Sequence, residues 1–415
     1  MELDVNEIAN KIEKNGGRLY LVGGAVRDEF LGKEVSDEDY CVTGLSSEEF
    51  CKLFPEVYAR GKSFEVYDLG GKEFAMARVE TKVGKGHTEF DVVTNKDITI
   101  CEDLKRRDIT INSMAKDVLT NEVIDPFLGL EDLKNKVIRA TSQSFVEDPL
   151  RVYRAARFAS EFGFDIENRT LELMKNLKGE LNELSKERVF NEFRKALKTD
   201  RPSIFFNVLK KADVLDVHFK QIYNLINVEQ PVKYHPEGDA YNHTMLAVDM
   251  CANLTPDEKV RFATLVHDLG KALTPKNLYP HHYEHDVKGV GEVVKFANSL
   301  KMPTLWKECG KTAAKEHMRG GIFNKMGVTK KVSFIENIYK TKLGLEGLEI
   351  VVESDRNCRG VKDDKVEFAK IGNMMIKEIN GDYIKEKFGV EEGVKLKQKL
   401  HEERIVWLKN MLENE

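Results

Sequence analysis

The feature that most constrains the fold is a change in hydrophobic periodicity near Asp132. Before it, short apolar runs alternate with Gly-containing breaks and amphipathic stretches, which predicts strands mixed with helices. After it, apolar residues recur at helical spacing almost to the end of the chain. A chain of 415 residues has room for about two to four domains. We therefore expect an α+β fold, in which an N-terminal head with a mixed sheet is followed by all-α domains.

The element boundaries follow from the same periodicity. In the head we predict helices over 5–13, 25–31, 46–54 and 109–116, the last one capped by Asp108, and strands over 18–22, 40–43, 64–69, 73–78 and 89–93. In the second part we predict helices over 150–162, 170–177, 186–197 and 203–212, with breaks over 228–239 and 274–286.

The most informative stretch is residues 21–42, LVGGAVRDEFLGKEVSDEDYCV. A strand enters Gly23-Gly24 and a helix follows, so free N–H groups and the positive end of a helix dipole would face a phosphate. Asp37 and Asp39 lie two residues apart on a strand, which points both carboxylates to one side. Such a pair suits Mg²⁺ and two-metal transfer to a 3′-hydroxyl. Taken singly, a structural glycine turn and a solvated acidic turn are the simpler interpretations.

Four later motifs follow, and with them the chain resembles the class II nucleotidyltransferase family, which comprises bacterial CCA-adding tRNA nucleotidyltransferases and related poly(A) polymerases. The motifs are ARVETK (77–82), DLKRRDITIN (103–112), DPFLG with a following Asp-Leu (125–133) and EDPLRVYR (147–154). The resemblance implies template-independent addition of C, C and A to the 3′ end of tRNA from CTP and ATP. It implies Mg²⁺ at Asp37 and Asp39, with Glu80 as a third carboxylate, although Glu80 could equally pair with Arg78 or Lys82.

The resemblance also implies a set of nucleotide-binding residues: Gly24, Arg27, Arg107, Asp148, Arg151 and Arg154. The Arg107 guanidinium suits a triphosphate. Asp148 and Arg151, supported by Glu147, would read the incoming base. Cytosine and adenine present an amino donor beside a ring acceptor, whereas uracil and guanine present the reverse, and each mismatch costs about 1–3 kcal/mol. The simpler interpretation is that Asp148 caps a helix that begins at Pro149.

Seven of the ten histidines lie between residues 235 and 317. The order His243, His267-Asp268, Asp355 resembles that of HD-superfamily phosphohydrolases. The stretch 234–291 resembles the C-terminal HD domain of gammaproteobacterial-type CCA-adding enzymes, which have cyclic phosphodiesterase and phosphatase activities. The resemblance implies a divalent transition metal such as Ni²⁺ or Mn²⁺, or else Mg²⁺. The implied ligands are His243, His267, Asp268, His282, His285 and Asp355.

Parts of this metal site stay open at the sequence level. A lone His-Asp pair is more often a surface pair, and we expect His267-Asp268 on a helix that begins at 259 and turns near Gly270. His281 and His317 are expected to be structural. The family's ADxRGR segment reads SDRNCRG here, so the assignment of Asp355 as the fourth ligand is open.

The motifs divide the chain into a nucleotidyltransferase head (1–132), a helical neck that binds nucleotide and RNA (133–227), an HD phosphohydrolase domain (228–360) and a helical tail (361–415). The formal net charge of −5 argues against uniformly basic RNA binding. The segment 134–211 nevertheless holds 17 Lys and Arg against 11 Asp and Glu. That local excess is consistent with a tRNA acceptor end on the neck.

Scattered cysteines, together with no apolar leader and no apolar run of membrane length, predict a cytoplasmic protein without a membrane partner. A homodimer is left open. One alternative is a poly(A) polymerase or A-adding enzyme of the same class, and another is an HD phosphohydrolase whose head only binds RNA. The HD segment favours the CCA-adding interpretation over the first. Intact head residues such as Asp37, Asp39 and Arg107 argue against the second.

Overall fold

The computed structural model describes residues 4–35, 37–60, 66–82, 90–360, 365–390 and 393–413, and of residues 60, 80–82 and 90–93 the backbone alone. The chain forms two compact units, one from Met1–Arg188 with Asn207–Val214 and one from Val189–Phe206 with Leu215–Glu415. Two of the three limits between these units fall inside helices and the third lies between Val214 and Leu215, and none coincides with a boundary drawn from sequence. The division into head, neck, HD domain and tail therefore stays a prediction.

The first unit contains the sheets and the first group of helices. Its strands are β1 (Arg18–Val22), β2 (Asp39–Thr43), β3 (Tyr58–Arg60), β4 (Val66–Leu69), β5 (Lys72–Met76), β6 (Arg78–Lys82), β7 (Phe90–Thr94), β8 (Ala115–Asp117), β9 (Val123–Ile124), β10 (Val137–Ile138) and β11 (Asp165–Ile166). Its helices are α1 (Val5–Glu13), α2 (Gly24–Phe30), α3 (Ser47–Leu53), α4 (Ile100–Lys105), α5 (Gly129–Asn135), α6 (Arg151–Phe162) and α7 (Asn168–Asn176), and it shares α8 (Lys186–Leu197) and α9 (Ser203–Lys211) with the second unit.

Seven of these strands form one sheet in the order β3-β4-β5-β2-β1-β8-β9. β2 pairs with β5 in parallel, and every other pair in this sheet is antiparallel. The interior strand β1 is covered on both faces, because Leu19 belongs to one hydrophobic cluster with α1 and α3, while Tyr20 and Val22 belong to another with α4. Burial on both faces explains the apolar run over residues 19–22 of β1. The parallel pair among antiparallel ones confirms a mixed sheet in the head.

The second unit is helical. Its further helices are α10 (Leu215–His218), α11 (Lys220–Tyr223), α12 (Ala240–Leu254), α13 (Glu258–Val266), α14 (His285–Ser299), α15 (Thr304–Gly321), α16 (Val328–Tyr339), α17 (Gly344–Asn357), α18 (Phe368–Glu378), α19 (Gly381–Phe388) and α20 (Gly393–Glu413). Phe193 lies fully buried among the rings of Phe205, Phe219, Phe262 and Trp306. Burial of these aromatic residues is consistent with the helical spacing of apolar residues from which the helices were predicted. A unit with sheets followed by a helical unit confirms the α+β fold class.

Most predicted elements are present, and α1, β1 and α8 have the predicted bounds. The predicted strand over 73–78 is wrong as a single strand, since it divides into β5 and β6. Residues 64, 65 and 89 of two predicted strands lie outside the described residues.

The predicted helix over 109–116 is also wrong. A short 3₁₀ turn, Thr110–Asn112, leads there into β8, which pairs with β1. Ile109, Ile111 and Ala115 are all fully buried, and this apolar spacing is compatible with either structure. Pairing with the open side of β1 decided the outcome.

Candidate functional site

The acidic edge of the first unit lies at the start of β2. Asp39 is the first residue of that strand, and Asp37 precedes it in the connection from α2. Between them, Glu38 accepts hydrogen bonds from the hydroxyl of Tyr40 and from the ammonium group of Lys72. Glu38 and Tyr40 thus lie on one side of the chain, which leaves Asp39 on the other. Asp37 precedes the strand, and its shared side with Asp39 stays a prediction. Partial loss of hydration raises the pKa of Asp39, and Arg107 opposes that shift.

Glu73 is a carboxylate that the sequence interpretation missed. It lies directly opposite Asp39 in the parallel register of β2 and β5. Both residues line a cavity of about 180 Å³, together with Arg78, Arg106 and Arg107. Glu80 lies on β6 opposite Val92 of β7, and its side chain is outside the described part of the structure. The strand register that places Glu73 here has no signal in the sequence.

Two arginines beside this cavity share one buried anchor. Asp103 is 1% exposed. Its Oδ1 accepts hydrogen bonds from Nε and Nη2 of Arg106 at 3.0 and 2.7 Å, and its Oδ2 accepts from Nη2 of Arg107 at 3.1 Å. At Gly23, with φ of +72°, an added Cβ would lie 2.7 Å from Nη1 of Arg107. Because Gly23 has no side chain, the guanidinium of Arg107 can lie against it. Arg107, which the sequence predicts to bind nucleotide, thus lines the same cavity as Asp39.

Gly24 and Arg27 occupy the first turn of α2, but Arg27 faces the interior. Its guanidinium donates to both carboxylate oxygens of Asp28 at 2.9 Å and to Oδ1 of Asn112 at 2.5 Å. Its central carbon also lies 4.7 Å from the centre of the Phe162 ring. Arg27 is 6% exposed, so the structure gives it a packing role within the unit.

The buried Asp108 pairs with Arg154, whose side chain is 33% exposed. Nε of Arg154 donates to Oδ2 of Asp108 at 2.8 Å, and Oδ1 of Asp108 accepts from the backbone N–H of Ile109 at 2.9 Å and from Asn112 at 3.2 Å. Burial favours the neutral acid, but Arg154 outweighs it and lowers the pKa of Asp108 to about 2. Asp108 is therefore held ionised and fixes the turn before β8, rather than capping a helix.

Asp148 and Arg151 are occupied by protein partners. Oδ1 of Asp148 accepts from the backbone N–H of Leu150 at 3.0 Å, and its Oδ2 lies 2.9 Å from Nη2 of Arg188. The Arg151 guanidinium donates to the carbonyl oxygens of Ser144 at 2.5 Å and Arg106 at 2.6 Å. Asp148 caps the turn before α6, which begins at Arg151 rather than at position 149. Base reading by this pair stays a prediction, and Arg188 is a neighbour that the sequence did not indicate.

The second unit brings together six residues from five elements. They are His243 in α12, His267 and Asp268 directly after α13, His285 at the start of α14, His317 in α15 and Asp355 in α17. All except Asp355 are buried. The sequence predicted a structural role for His317. The packing of α15 brings it into the cluster, although it lies far from His267 along the chain.

The Nε2 atoms of the four histidines converge on two carboxylates. Nε2 of His243 lies 3.0 Å from Oδ1 of Asp355, and Nε2 of His267 lies 3.1 Å from Oδ2 of Asp268. Nε2 of His285 and of His317 lie 3.3 and 3.4 Å from Oδ1 of Asp268. Burial favours neutral Asp355, but His243 and Arg359 hold the pKa of Asp355 well below its usual range.

The opposite ring nitrogens determine which tautomer is present. Nδ1 of His267, His285 and His317 each lies 2.6–3.0 Å from a backbone carbonyl oxygen, which can only accept. Nδ1 of His243 lies 2.7 Å from a carboxylate oxygen of Glu237. The neutral rings therefore carry hydrogen on Nδ1 and turn Nε2 lone pairs inward.

Several inward atoms lack a hydrogen bond. Nε2 of His243, Nε2 of His267 and Oδ1 of Asp268 are buried without a hydrogen-bond partner among the described residues. Lone pairs of imidazole nitrogen facing carboxylate oxygens repel one another unless a cation lies between them. Imidazole and carboxylate together suit divalent transition metals, so this donor set fits such an ion.

The end of α13 explains how neighbouring residues face one site. The helix ends at Val266, so Asp268 lies beyond it, and the expectation that one helix carries both His267 and Asp268 is wrong. At Gly270 an added Cβ would lie 1.9 Å from the carbonyl oxygen of His285. Gly270 therefore allows the chain after α13 to pack directly on the first turn of α14.

His282 lies apart from this cluster. Its Nδ1 is 2.9 Å from the hydroxyl of Thr274, and its Nε2 is 2.8 Å from the carbonyl oxygen of Glu229. Both ring nitrogens thus have other partners, although His282 lines a cavity of about 1050 Å³ that is also lined by Asp268 and Asp355. Lys271 was missed by the sequence interpretation: it is buried and lies 2.5 Å from Oδ2 of Asp268 and 2.6 Å from Oε1 of Gln230.

Three family models match successive parts of the chain. Residues 19–139 match the family model of the poly A polymerase head domain, residues 163–225 that of a probable RNA and SrmB-binding site of polymerase A, and residues 240–338 that of the HD domain. Among the described residues, none of the helices is both long and apolar enough to span a membrane.

Named relatives and solved structures extend the likeness. The multifunctional CCA proteins of Shewanella denitrificans and Psychromonas ingrahamii are 43% and 44% identical over 308 residues, 72% of this chain and 74% of each relative. The Bacillus stearothermophilus CCA-adding enzyme in complex with CTP shares the fold, with a TM-score of 0.60 at 20% identity over 99% of this chain and 97% of that one. A CCA-adding enzyme with ATP gives 0.65 at 21% identity over 98% and 91%. The resemblance seen in the sequence is thus confirmed, and the chain belongs to the family of multifunctional CCA proteins.

Proposed function

We propose that this chain adds C, C and A to the 3′ end of tRNA, using CTP and ATP. The observation that carries the proposal is the cavity beside Asp39, where carboxylates share one small space with the arginines anchored by Asp103. A nucleoside triphosphate needs both groups, since guanidinium binds phosphate oxygens and carboxylates bind its Mg²⁺. The relatives' name, multifunctional CCA protein, supports addition of C, C and A, and the similar structures that hold CTP and ATP support these two substrates.

Asp37 and Asp39 are the residues that would hold Mg²⁺, with Glu80 proposed as a third carboxylate. Bound Mg²⁺ would activate the 3′-hydroxyl and stabilise the leaving pyrophosphate. Arg106 and Arg107 would bind the triphosphate. For base reading, Asp148 and Arg151 would exchange their present protein partners for the edge of cytosine or adenine.

The test supplies tRNA that ends at the discriminator base with CTP, ATP, UTP or GTP, singly and together. We expect C, C and then A to be added, and all incorporation to be lost in Asp37→Ala. A long A-tail from ATP alone would instead identify a poly(A) polymerase. Addition of a single A only to tRNA that already ends in CC would identify an A-adding enzyme.

We also propose that the second unit is a metal-dependent phosphohydrolase acting on 2′,3′-cyclic phosphodiesters and phosphomonoesters. The proposed ligands are His243, His267, Asp268, His285, His317 and Asp355, and the convergent Nε2 lone pairs support them. A divalent ion there would supply Lewis-acid activation of water and of a phosphoryl group. Lys271, Arg356 and Arg359 line the adjoining cavity and would hold the phosphate. Hydrolysis of a 2′,3′-cyclic nucleotide should survive Asp37→Ala and be lost in His267→Ala.

The ligand atoms offer two ion positions that share Asp268. Oδ2 of Asp268 faces His243 and His267, and Oδ1 faces His285 and His317, whose Nε2 atoms lie 3.3 Å apart. Calorimetric titration with Ni²⁺ should give two equivalents in the unaltered protein and one in His317→Ala. A single equivalent in both proteins would contradict a second position.

Three further expectations belong to this proposal. The protein would act in the cytoplasm, and the four-part division would place the tRNA acceptor end on the basic neck. The homodimer raised by the sequence interpretation stays a prediction, for which sedimentation of the purified chain is the direct measurement.

A further inference from the structure

Glu237 lies beside the metal-ligand cluster without belonging to it. Its Oε1 is 2.7 Å from Nδ1 of His243 and 2.9 Å from Nδ1 of His235. The side chain is 5% exposed, and its Oε2 is buried without a hydrogen-bond partner among the described residues. One carboxylate oxygen therefore takes hydrogen from two imidazole rings in the interior of the unit.

The loop before α12 holds this carboxylate in place. Gly238 has φ of +106°, which side-chain-bearing residues rarely adopt, and its N–H donates to the carbonyl oxygen of His235 at 3.2 Å. Asp239 then caps α12 by accepting from the N–H of Asn242 at 2.8 Å, and also accepts from the N–H of Asn227 at 2.7 Å. Glu237 is thus fixed from both sides of the turn.

His243 differs from the other three histidines of the cluster. Each of those places Nδ1 on a backbone carbonyl oxygen, which no side-chain substitution removes. The strong acceptor at Nδ1 of His243 is Glu237, and the remaining neighbour, Sγ of Cys358, lies 3.6 Å away. The tautomer of His243 therefore depends on one side chain.

We propose that Glu237 is a positioning residue that fixes the Nδ1–H tautomer and the ring orientation of His243, braced by His235, so that the Nε2 lone pair faces Asp355 and Asp268. The inference rests on the proposed metal function of this unit. A carboxylate behind a metal-ligating imidazole sets its orientation and raises its basicity, and loss of that carboxylate typically lowers metal affinity about 10–100-fold.

The test titrates the full chain with Ni²⁺ in four variants: Glu237→Ala, Glu237→Gln, His267→Ala and the control Glu308→Ala, which removes an exposed carboxylate of α15. We expect Glu237→Ala to weaken Ni²⁺ binding about 10–100-fold. Glu237→Gln, which retains an acceptor oxygen, should lose about threefold, and the control should bind as the unaltered protein does. Nitrogen-15 spectra of the metal-free protein, recorded at a pH at which the His243 ring is neutral, should show its single tautomer being lost in Glu237→Ala.

Three results would overturn the inference: Glu237→Ala binding Ni²⁺ normally, Glu237→Gln losing as much as Glu237→Ala, or an unchanged His243 tautomer. Unaltered binding in His267→Ala would instead refute the metal function itself, which distinguishes the two failures. Circular dichroism and the thermal unfolding midpoint of each variant report whether the second unit is folded.

Discussion

Asp103→Asn should disable nucleotidyl transfer while leaving the second unit intact. The two oxygens of Asp103 hold Arg106 and Arg107 from a position that is 1% exposed. Asparagine preserves the volume and one acceptor, but it turns an NH₂ donor toward one guanidinium. Breaking a buried ion pair costs about 3–5 kcal/mol. Because the arginine side chains retain 16% and 20% exposure, we expect the lower value, roughly 3 kcal/mol.

The consequence for catalysis follows from displacement of Arg107. A misplacement of about 1 Å in a group that positions substrate can cost about 100-fold in rate. We expect kcat/KM for both CTP and ATP to fall about 100-fold in Asp103→Asn, with Ni²⁺ binding unchanged. Asp97→Asn, on an exposed turn, is the matched control and should keep full activity. A folded Asp103→Asn protein with normal kcat/KM would refute the anchoring argument.

Three shorter predictions test other contacts. Against the effect of burial, Arg154 lowers the pKa of Asp108 from 3.8 to about 2, so this pairing should add roughly 2 kcal/mol to the free energy of unfolding above pH 4, and the gain is lost as the pH falls towards 2. In Asp108→Asn the free energy of unfolding should depend less on pH over this range, and an unchanged pH profile would contradict the pairing. Gly270→Ala should weaken Ni²⁺ binding at least about tenfold, since a Cβ would strike the carbonyl of His285, and normal binding would show that the two segments separate freely. Arg261→Met should destabilise the protein by roughly 3 kcal/mol in urea, because its guanidinium donates to four backbone carbonyl oxygens, whereas a loss below about 1 kcal/mol would show that water replaces it.

Local patterns were sufficient to predict the regular elements and several of the residues that meet. The two-residue spacing of Asp37 and Asp39 predicted, without tertiary information, that both carboxylates face one side where β2 begins. The segment over 109–116 shows the limit of such patterns, because its apolar spacing fits a helix or a strand equally well. Only the vacant side of β1 decides between them, and that is a long-range pairing.

The amino-acid sequence by itself determined the family, the α+β class, the paired carboxylates of the head and most of the histidines of the second unit, because these depend on motifs a few residues long. The tertiary structure decided which side chains join them. Glu73 reaches Asp39 through strand register, and His317 reaches Asp268 on a helix nearly fifty residues later. It also assigned His282 other partners and gave His243 its acceptor. Such outcomes depend on packing between distant segments, which no local spacing encodes.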